Sequence, residues 1–226
     1  MTSDNPFELI YRDDSLLVVN KPAGLLAVPG RGPDKQDCLS SRLQREFPDV
    51  LVVHRLDMST SGLIVFACGA GMQRRLSHLF HEREVKKRYV AIVAGRLEPE
   101  AGEVELPIGA DWPNRPLRKI DTELGKPSLT RYRVVHARAR GNSEHSPFDG
   151  LRADGFFEAT RVELEPVTGR THQLRLHMSA IGHPILGDAL YGDDATAPRL
   201  MLHATELDLL HPGTGSPLHF VCAPPF

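Results

Sequence analysis

The segment Val53–Phe66, VHRLDMSTSGLIVF, constrains this chain more than any other. A short apolar run ends at Val53, the polar turn His54-Arg55-Leu56-Asp57 follows, and a second apolar run, Leu63-Ile64-Val65-Phe66, succeeds it. Two apolar runs bounded by turn residues read as strands of a buried sheet. Arg55 and Asp57 then stand two residues apart at the edge of that sheet. A carboxylate in such a place is poorly solvated, so it is either paired with a cation or chemically employed. The competing explanation is local: Asp57 bonds the backbone amides of the Ser59-Thr60-Ser61-Gly62 turn, as Asp commonly does. Taken alone, this segment favours the local explanation.

The remaining pattern sets the fold class. Glu8–Tyr11 and Leu16–Asn20 read as strands across the Arg12-Asp13-Asp14 turn, and Leu51–Val53 and Leu63–Ala67 as strands flanking Asp57. Leu39, Leu43 and Phe47 share one face of a short helix over 38–47, which Pro48 stops. Residues 71–82 form an amphipathic helix with Met72, Leu76, Leu79 and Phe80 inward and Arg74, Arg75, His78 and His81 outward. Arg88–Val93, Leu129–Val135, Phe157–Leu164, Arg199–Leu210 and His219–Cys222 are further strands, and 137–156 is a long polar loop. Thr171–Ile181 is a helix that Thr171 caps and that Gly182 and Pro184 end. Strands and helices alternate without a βαβ period, which predicts α+β with a mostly antiparallel sheet. No repeat or linker divides the 226 residues, so a single domain spanning 1–226 is expected.

Composition removes several function classes. No apolar stretch reaches the roughly 20 residues of a membrane helix, and the N-terminus lacks signal-peptide regions. Cys38, Cys68 and Cys222 are isolated and odd in number, which points to reduced thiols and a cytoplasmic location. They also lack metal-ligand spacing, as do His78/His81 and His177/His183. Gly69-Ala70-Gly71 has no third glycine for a dinucleotide loop, and no Gly-x-Ser-x-Gly elbow occurs. No metal and no cofactor are therefore expected. Net charge is −2, yet charge is segregated: Arg74, Arg75, Arg83, Lys86, Lys87 and Arg88 cluster, and Arg115, Arg118 and Lys119 form a second basic stretch. Such segregation can make a phosphate-binding surface on a near-neutral protein, although a solvated face is the commoner explanation of a charge run.

Three polar clusters fall at element ends: Arg55 with Asp57; Tyr89, directly after Lys86-Lys87-Arg88; and Thr168–Arg175, which includes Arg170 at a helix start where free amides attract anions. Each has a plain structural reading, Tyr89 as a core aromatic and the arginines as surface residues. Together they supply a carboxylate, a cation able to keep it ionised, a flat ring to stack on a base, and phosphate donors.

These residues lie in segments that resemble the pseudouridine synthases of the ribosomal large-subunit pseudouridine synthase A family. The segments are Asn20-Lys21-Pro22-Ala23-Gly24-Leu25, His54–Gly62, Lys87-Arg88-Tyr89-Val90-Ala91, Gly169–Met178, Gly182–Asp188 and Arg199–Ala204, in family order. The resemblance implies a mixed, mainly antiparallel sheet with flanking helices and a catalytic cleft across it. It implies isomerisation of uridine in RNA: the N1–C1′ bond breaks, the uracil rotates, and C5 rejoins the ribose, without cofactor or metal. Carried over by position, Asp57 is the catalytic aspartate, either attacking C1′ or removing a ribose proton. Tyr89 stacks on the target uracil, Arg175 pairs with Asp57 and keeps it ionised, Arg55 helps flip the uridine, and Leu202 belongs to an apolar wall. Base flipping is demanded by the chemistry, because the reacting atoms are inaccessible in a stacked helix. Lys86, Lys87, Arg115 and Arg170 are the expected RNA contacts.

The early first strand leaves no room for an N-terminal S4-like module, and Asp111-Trp112-Pro113-Asn114-Arg115-Pro116 resembles the short members that act on both ribosomal and transfer RNA. The expected partners are thus stem-loops of 23S rRNA and the tRNA anticodon arm, with no membrane and no small-molecule cofactor. The alternatives are an enzyme for one RNA only, a catalytically silent RNA-binding protein, and a glycosidase. The last needs paired carboxylates, where the reading provides one carboxylate and the chain a single Trp.

Overall fold

The computed structural model describes residues 7–137 and 158–226. The long polar loop expected at 137–156 lies outside the described residues, apart from Ala137. In chain order the elements are β1 (Glu8–Arg12), β2 (Leu16–Lys21), α1 (Leu39–Glu46), β3 (Val50–Val52), β4 (Ser61–Cys68) and α2 (Gly69–His81). Then come β5 (Lys86–Ala94), β6 (Ala101–Glu105), β7 (Ile108–Ala110), β8 (Arg118–Ile120), β9 (Leu129–Ala137) and β10 (Ala159–Pro166). The chain continues through α3 (Gln173–Ala180), β11 (Leu202–Leu210) and β12 (Pro217–Val221). They fall into two compact units, Met1–Lys87 with His203–Pro224, and Arg88–Leu202 with Pro225–Phe226.

In the first unit the strand order is β1-β2-β4-β11, with β3 on β4 and β12 on β11. β2 opens with the apolar run Leu16–Val19 and β4 holds the run Leu63–Cys68, and both faces of each strand are buried, as expected of central strands rather than half-exposed ones. Leu16, Val18, Leu63 and Val65 pack on one face with Leu76 of α2 and with Leu207, Leu209 and Phe220. β4 and β11 run parallel, in register His203↔Ser61 and Ala204↔Gly62.

In the second unit the order is β5-β10-β9-β6, with β7 and β8 as a separate hairpin. The core joins Ala91, Ile92 and Val93 of β5, Val162 and Leu164 of β10, and Leu174 and Met178 of α3. All described pairings within each unit are antiparallel apart from β4–β11. The α+β, mainly antiparallel architecture is therefore as expected.

Three local expectations are corrected. Thr171 does not cap α3: the helix begins at Gln173, and His172 occupies the cap position in a left-handed conformation (φ 58°) with no side-chain cap bond of its own. The Gln173 side chain folds back instead, its Oε1 accepting from the Arg170 N–H (3.0 Å) and the Thr168 hydroxyl (2.6 Å). The strand expected over Arg199–Leu210 begins only at Leu202, because Met201 exchanges backbone bonds with Ile92 and Leu186 across a loop. β6, β7 and β8 were not anticipated: β6 carries Glu103 and Glu105 on a strand with one buried residue, and the other two are three residues long.

Candidate active site

The Asp57 turn is pinned at both ends. β3 pairs with β4 only as far as Val52↔Phe66. Just beyond, the Val65 N–H donates to Nε2 of His54 at 2.9 Å, so a side chain replaces the next ladder bond. The imidazole stacks on Phe80 of α2, ring centroids 4.3 Å apart. Burial, followed by the charge of Lys87, lowers the His54 pKa to about 3. The ring is therefore neutral and its Nε2 available to accept.

On the far side, Lys21 is wholly buried at the end of β2. Its ammonium donates to the carbonyls of Pro22 (2.7 Å), Leu25 (2.8 Å) and Met58 (3.1 Å). The Gly24 N–H reaches the same Met58 carbonyl at 2.8 Å. Between the pins, Leu56 is buried, Asp57 half-buried and Arg55 exposed. The Thr60 N–H closes the turn on the backbone carbonyl of Asp57 at 3.1 Å. One amide that the local explanation assigned to the carboxylate is thus taken by the main chain.

In the second unit Arg175 lies on α3, its side chain only 5% exposed. Nε and Nη2 grip the two carboxylate oxygens of Asp188 at 2.8 and 2.6 Å, a bidentate pair. Asp188 also accepts the N–H groups of Leu190 and Tyr191. Burial pushes its carboxyl upward, but the bonds and charge of Arg175 and the two amides outweigh it, leaving the pKa below the usual carboxylate range. Sequence reasoning counted a single carboxylate near the candidate cations; Asp188 is a second. With four donors on its two oxygens it is a structural counter-ion rather than an acid, and no glycosidase pair results.

Tyr191, another residue without an assigned role, ties this region together. Its hydroxyl accepts the Arg118 N–H and meets His172 Nδ1, each at 2.8 Å, and its ring lies 5.5 Å from the Arg175 guanidinium. Below it, the Gln173 amide donates to the Leu129 carbonyl and the Thr130 hydroxyl, and Thr130 in turn meets Nδ1 of buried His177. Burial first, against a bond to the Leu106 carbonyl, lowers the His177 pKa.

The other expected site residues are placed as follows. Tyr89 sits on β5, half-buried against the second unit's core. Lys86 is exposed and Lys87 half-buried, with its pKa lowered by burial and then by Arg83. Arg170 is half-buried, with Nε 3.4 Å from the Pro127 carbonyl, and Arg115 is exposed on the β7–β8 turn. Leu202 is buried in the second unit's core. Lys21, His54, Asp188 and Tyr191 went unassigned. The one sequence signal for the first is a lysine closing a strand that opens with four apolar residues, Leu16 to Val19, and Asp188 ends the Gly182–Asp188 segment. Among the described residues no cluster of His, Cys, Asp and Glu could hold a metal ion, and no helix is long and apolar enough to cross a membrane.

Comparison with known proteins identifies the family. Residues 15–180 match the family described as RNA pseudouridylate synthase. The chain is 47% identical over 215 residues to the dual-specificity RNA pseudouridine synthase RluA of Escherichia coli (strain K12), covering 94% of this chain and 90% of that one. It is 46% identical over 221 residues to the protein of the same name from Yersinia pestis, covering 96% and 99%. Among solved structures, human RNA pseudouridylate synthase domain containing 1 is similar with a TM-score of 0.77 at 30% identity, covering 100% of this chain and 87% of that one. Domain containing 4 follows with a TM-score of 0.71 at 26% identity, covering 96% and 88%. On a match spanning most of its length, and with the strand architecture to support it, the chain belongs to the RNA pseudouridylate synthase family.

Proposed function

We propose that this enzyme isomerises particular uridines to pseudouridine in two kinds of folded RNA, stem-loops of 23S rRNA and the anticodon arm of tRNAs. The carrying observation is the doubly pinned turn that presents Asp57, held through His54 on one side and Lys21 on the other. A reacting carboxylate must be held in place while the nucleotide is extruded, and a turn fixed by its neighbours does this without using the carboxylate itself. Asp57 acts on the target ribose, Arg175 is its guanidinium partner, Tyr89 stacks on the uracil, and Arg55 fills the vacated stack. Leu202 contributes to the apolar wall, and Lys86, Lys87, Arg115 and Arg170 meet phosphates. The dual substrate rests on the near full-length similarity to enzymes named for dual specificity. Three free cysteines and no membrane-spanning helix among the described residues support work in the cytoplasm.

The test is pseudouridine formation by wild type and Asp57→Asn on an anticodon stem-loop and a 23S rRNA stem-loop, read by carbodiimide-primer extension. Modification of both RNAs by wild type, and of neither by Asp57→Asn with RNA affinity kept within a few-fold, is expected. Modification of one RNA restricts the enzyme to that substrate. Turnover by Asp57→Asn removes the aspartate from its role.

A further inference from the structure

The β7–β8 hairpin carries an aromatic group for which the fold has no use. Trp112, the sole tryptophan, is 69% exposed on the turn between the two strands. An indole is the costliest side chain to leave in water, so an exposed one held in a fixed pose marks a contact. One contact holds it: the Arg115 guanidinium lies 3.8 Å from the ring centroid, a cation–π pair. The turn beneath is closed by Asn114 Nδ2 donating to Asp111 Oδ2 at 3.0 Å and by the Leu117 N–H to the Asn114 carbonyl at 2.9 Å.

The hairpin is also anchored. β7 and β8 pair from Ile108↔Ile120 to Ala110↔Arg118, and Ile108 exchanges two backbone bonds with Lys126. The Arg118 N–H reaches the Tyr191 hydroxyl, and the Tyr191 N–H reaches Asp188, which holds Arg175. The aromatic surface is therefore fixed relative to Arg175 by a short chain of bonds within one unit.

The surroundings select the occupant. Pro113, Asn114 and Arg115 beside the indole are exposed and mostly polar, which suits a charged, polar partner better than an apolar protein surface. A guanidinium already stacked on the ring suits a flat, electron-rich heterocycle attached to a polyanion. Charge agrees: Arg115, Arg118 and Lys119 lie on this hairpin, and Nε of Arg118 is shut from water with no hydrogen-bond partner among the described residues.

We propose that Trp112 and Arg115 form a stacking platform for an unpaired base of the RNA substrate, away from the nucleotide that reacts. The proposal rests on the RNA-modifying function above and adds to it a second grip, one that reads whether the RNA presents a splayed base. Base–aromatic stacking is tolerant of base identity, so the platform selects looped over fully paired RNA more than one sequence over another.

Because Trp112 is the only tryptophan, its fluorescence reports on the platform directly. The experiment titrates the full chain with an anticodon stem-loop and with a fully paired duplex of the same stem, following fluorescence and Kd, and measures pseudouridine formation in parallel. The stem-loop quenches the indole and the duplex does not. Trp112→Ala raises the stem-loop Kd about ten-fold, Trp112→Phe about three-fold or less, and both leave duplex affinity unchanged. Leu124→Ser, on the exposed turn that follows β8, leaves both affinities unchanged, which separates stacking from loss of any exposed apolar group. If wild type forms pseudouridine while the stem-loop leaves the fluorescence unaltered, or Trp112→Ala binds as wild type does, the platform is overturned and the functional reading stands. Equal quenching by duplex and stem-loop also overturns it in favour of plain electrostatic contact. A wild type that modifies neither this stem-loop nor a 23S rRNA stem-loop overturns both.

Discussion

Lys21 and Arg175 are both buried cations, and their neighbours compensate them in different ways. Lys21 is met by three backbone carbonyls of its own unit, two of them within four residues and the third at Met58, next to Asp57. Lys21→Met keeps most of the volume and strands those oxygens, so it is expected to cost about 2 kcal/mol in urea unfolding. Because Met58 loses its anchor, pseudouridine formation should fall by more than the lost stability explains at a temperature where the variant is fully folded. Arg175 is instead paired with Asp188, whose side chain is entirely buried. Asp188→Asn preserves shape but leaves a buried guanidinium without this counter-charge, and a loss of about 3 kcal/mol in unfolding free energy is expected. A variant as stable as the parent would show the pair to be replaceable. Neither compensating partner could be read in advance: Met58 is 37 residues from Lys21 and Asp188 is 13 from Arg175.

Among the elements, the parallel contact of β4 with β11 is the most exacting. Gly62 adopts φ +112°, and a Cβ there would lie 2.3 Å from the Ala204 carbonyl oxygen and 2.5 Å from its nitrogen. Gly62→Ala combines backbone strain with a clash against main chain that cannot swing aside, so a loss of about 3 kcal/mol or more is expected, measured as a drop in the urea midpoint. Retained stability would mean that β11 can slide away from β4. The start of α3 shows how a sound local rule can be overridden. Thr171 has the right chemistry for a cap, yet the cap position falls on His172 and carries no side-chain bond, while the Gln173 side chain that opens the helix is held by Leu129 and Thr130 of β9 and by Thr168 and Arg170 before it. Long apolar strands such as β2 and β4 were legible from hydrophobic pattern alone. β7 and β8 were not, since Ile108-Gly109-Ala110 and Arg118-Lys119-Ile120, unlike the equally short Val50-Leu51-Val52 of β3, carry no apolar run to detect.

At the scale of the whole molecule, acid and salt are the informative variables. His54 has a folded pKa of about 3 against an ordinary 6.5, so the native state holds it neutral while the unfolded chain protonates it. Its contribution is complete above pH 6.5 and is lost as pH falls toward 3, at no more than about 1.4 kcal/mol per pH unit. Asp13 joins only lower down: burial opposes its ionisation, but bonds from Tyr11, two amides and His211 bring it to about 2, so its contribution fades between roughly pH 4 and pH 2. Urea unfolding at pH 7.0, 5.5 and 4.5 should show a steady decline. His54→Leu should be less stable at pH 7 yet decline less, and an equal slope would remove His54 from the account. Binding of RNA should weaken steeply with salt if Arg74, Arg75, Lys86, Lys87 and their neighbours meet phosphates, and a salt-independent Kd would exclude that surface. The sequence by itself determined the class of sheet, most of its strands, the turn that presents Asp57 and the family, because apolar periodicity and contiguous motifs are properties of neighbouring residues. Only the tertiary structure decided how each buried charge is compensated, where α3 begins, and that Trp112 is left exposed on an anchored turn. Those outcomes depend on groups far apart in the chain, and which of them meet is settled only when the strands have paired and the helices have packed.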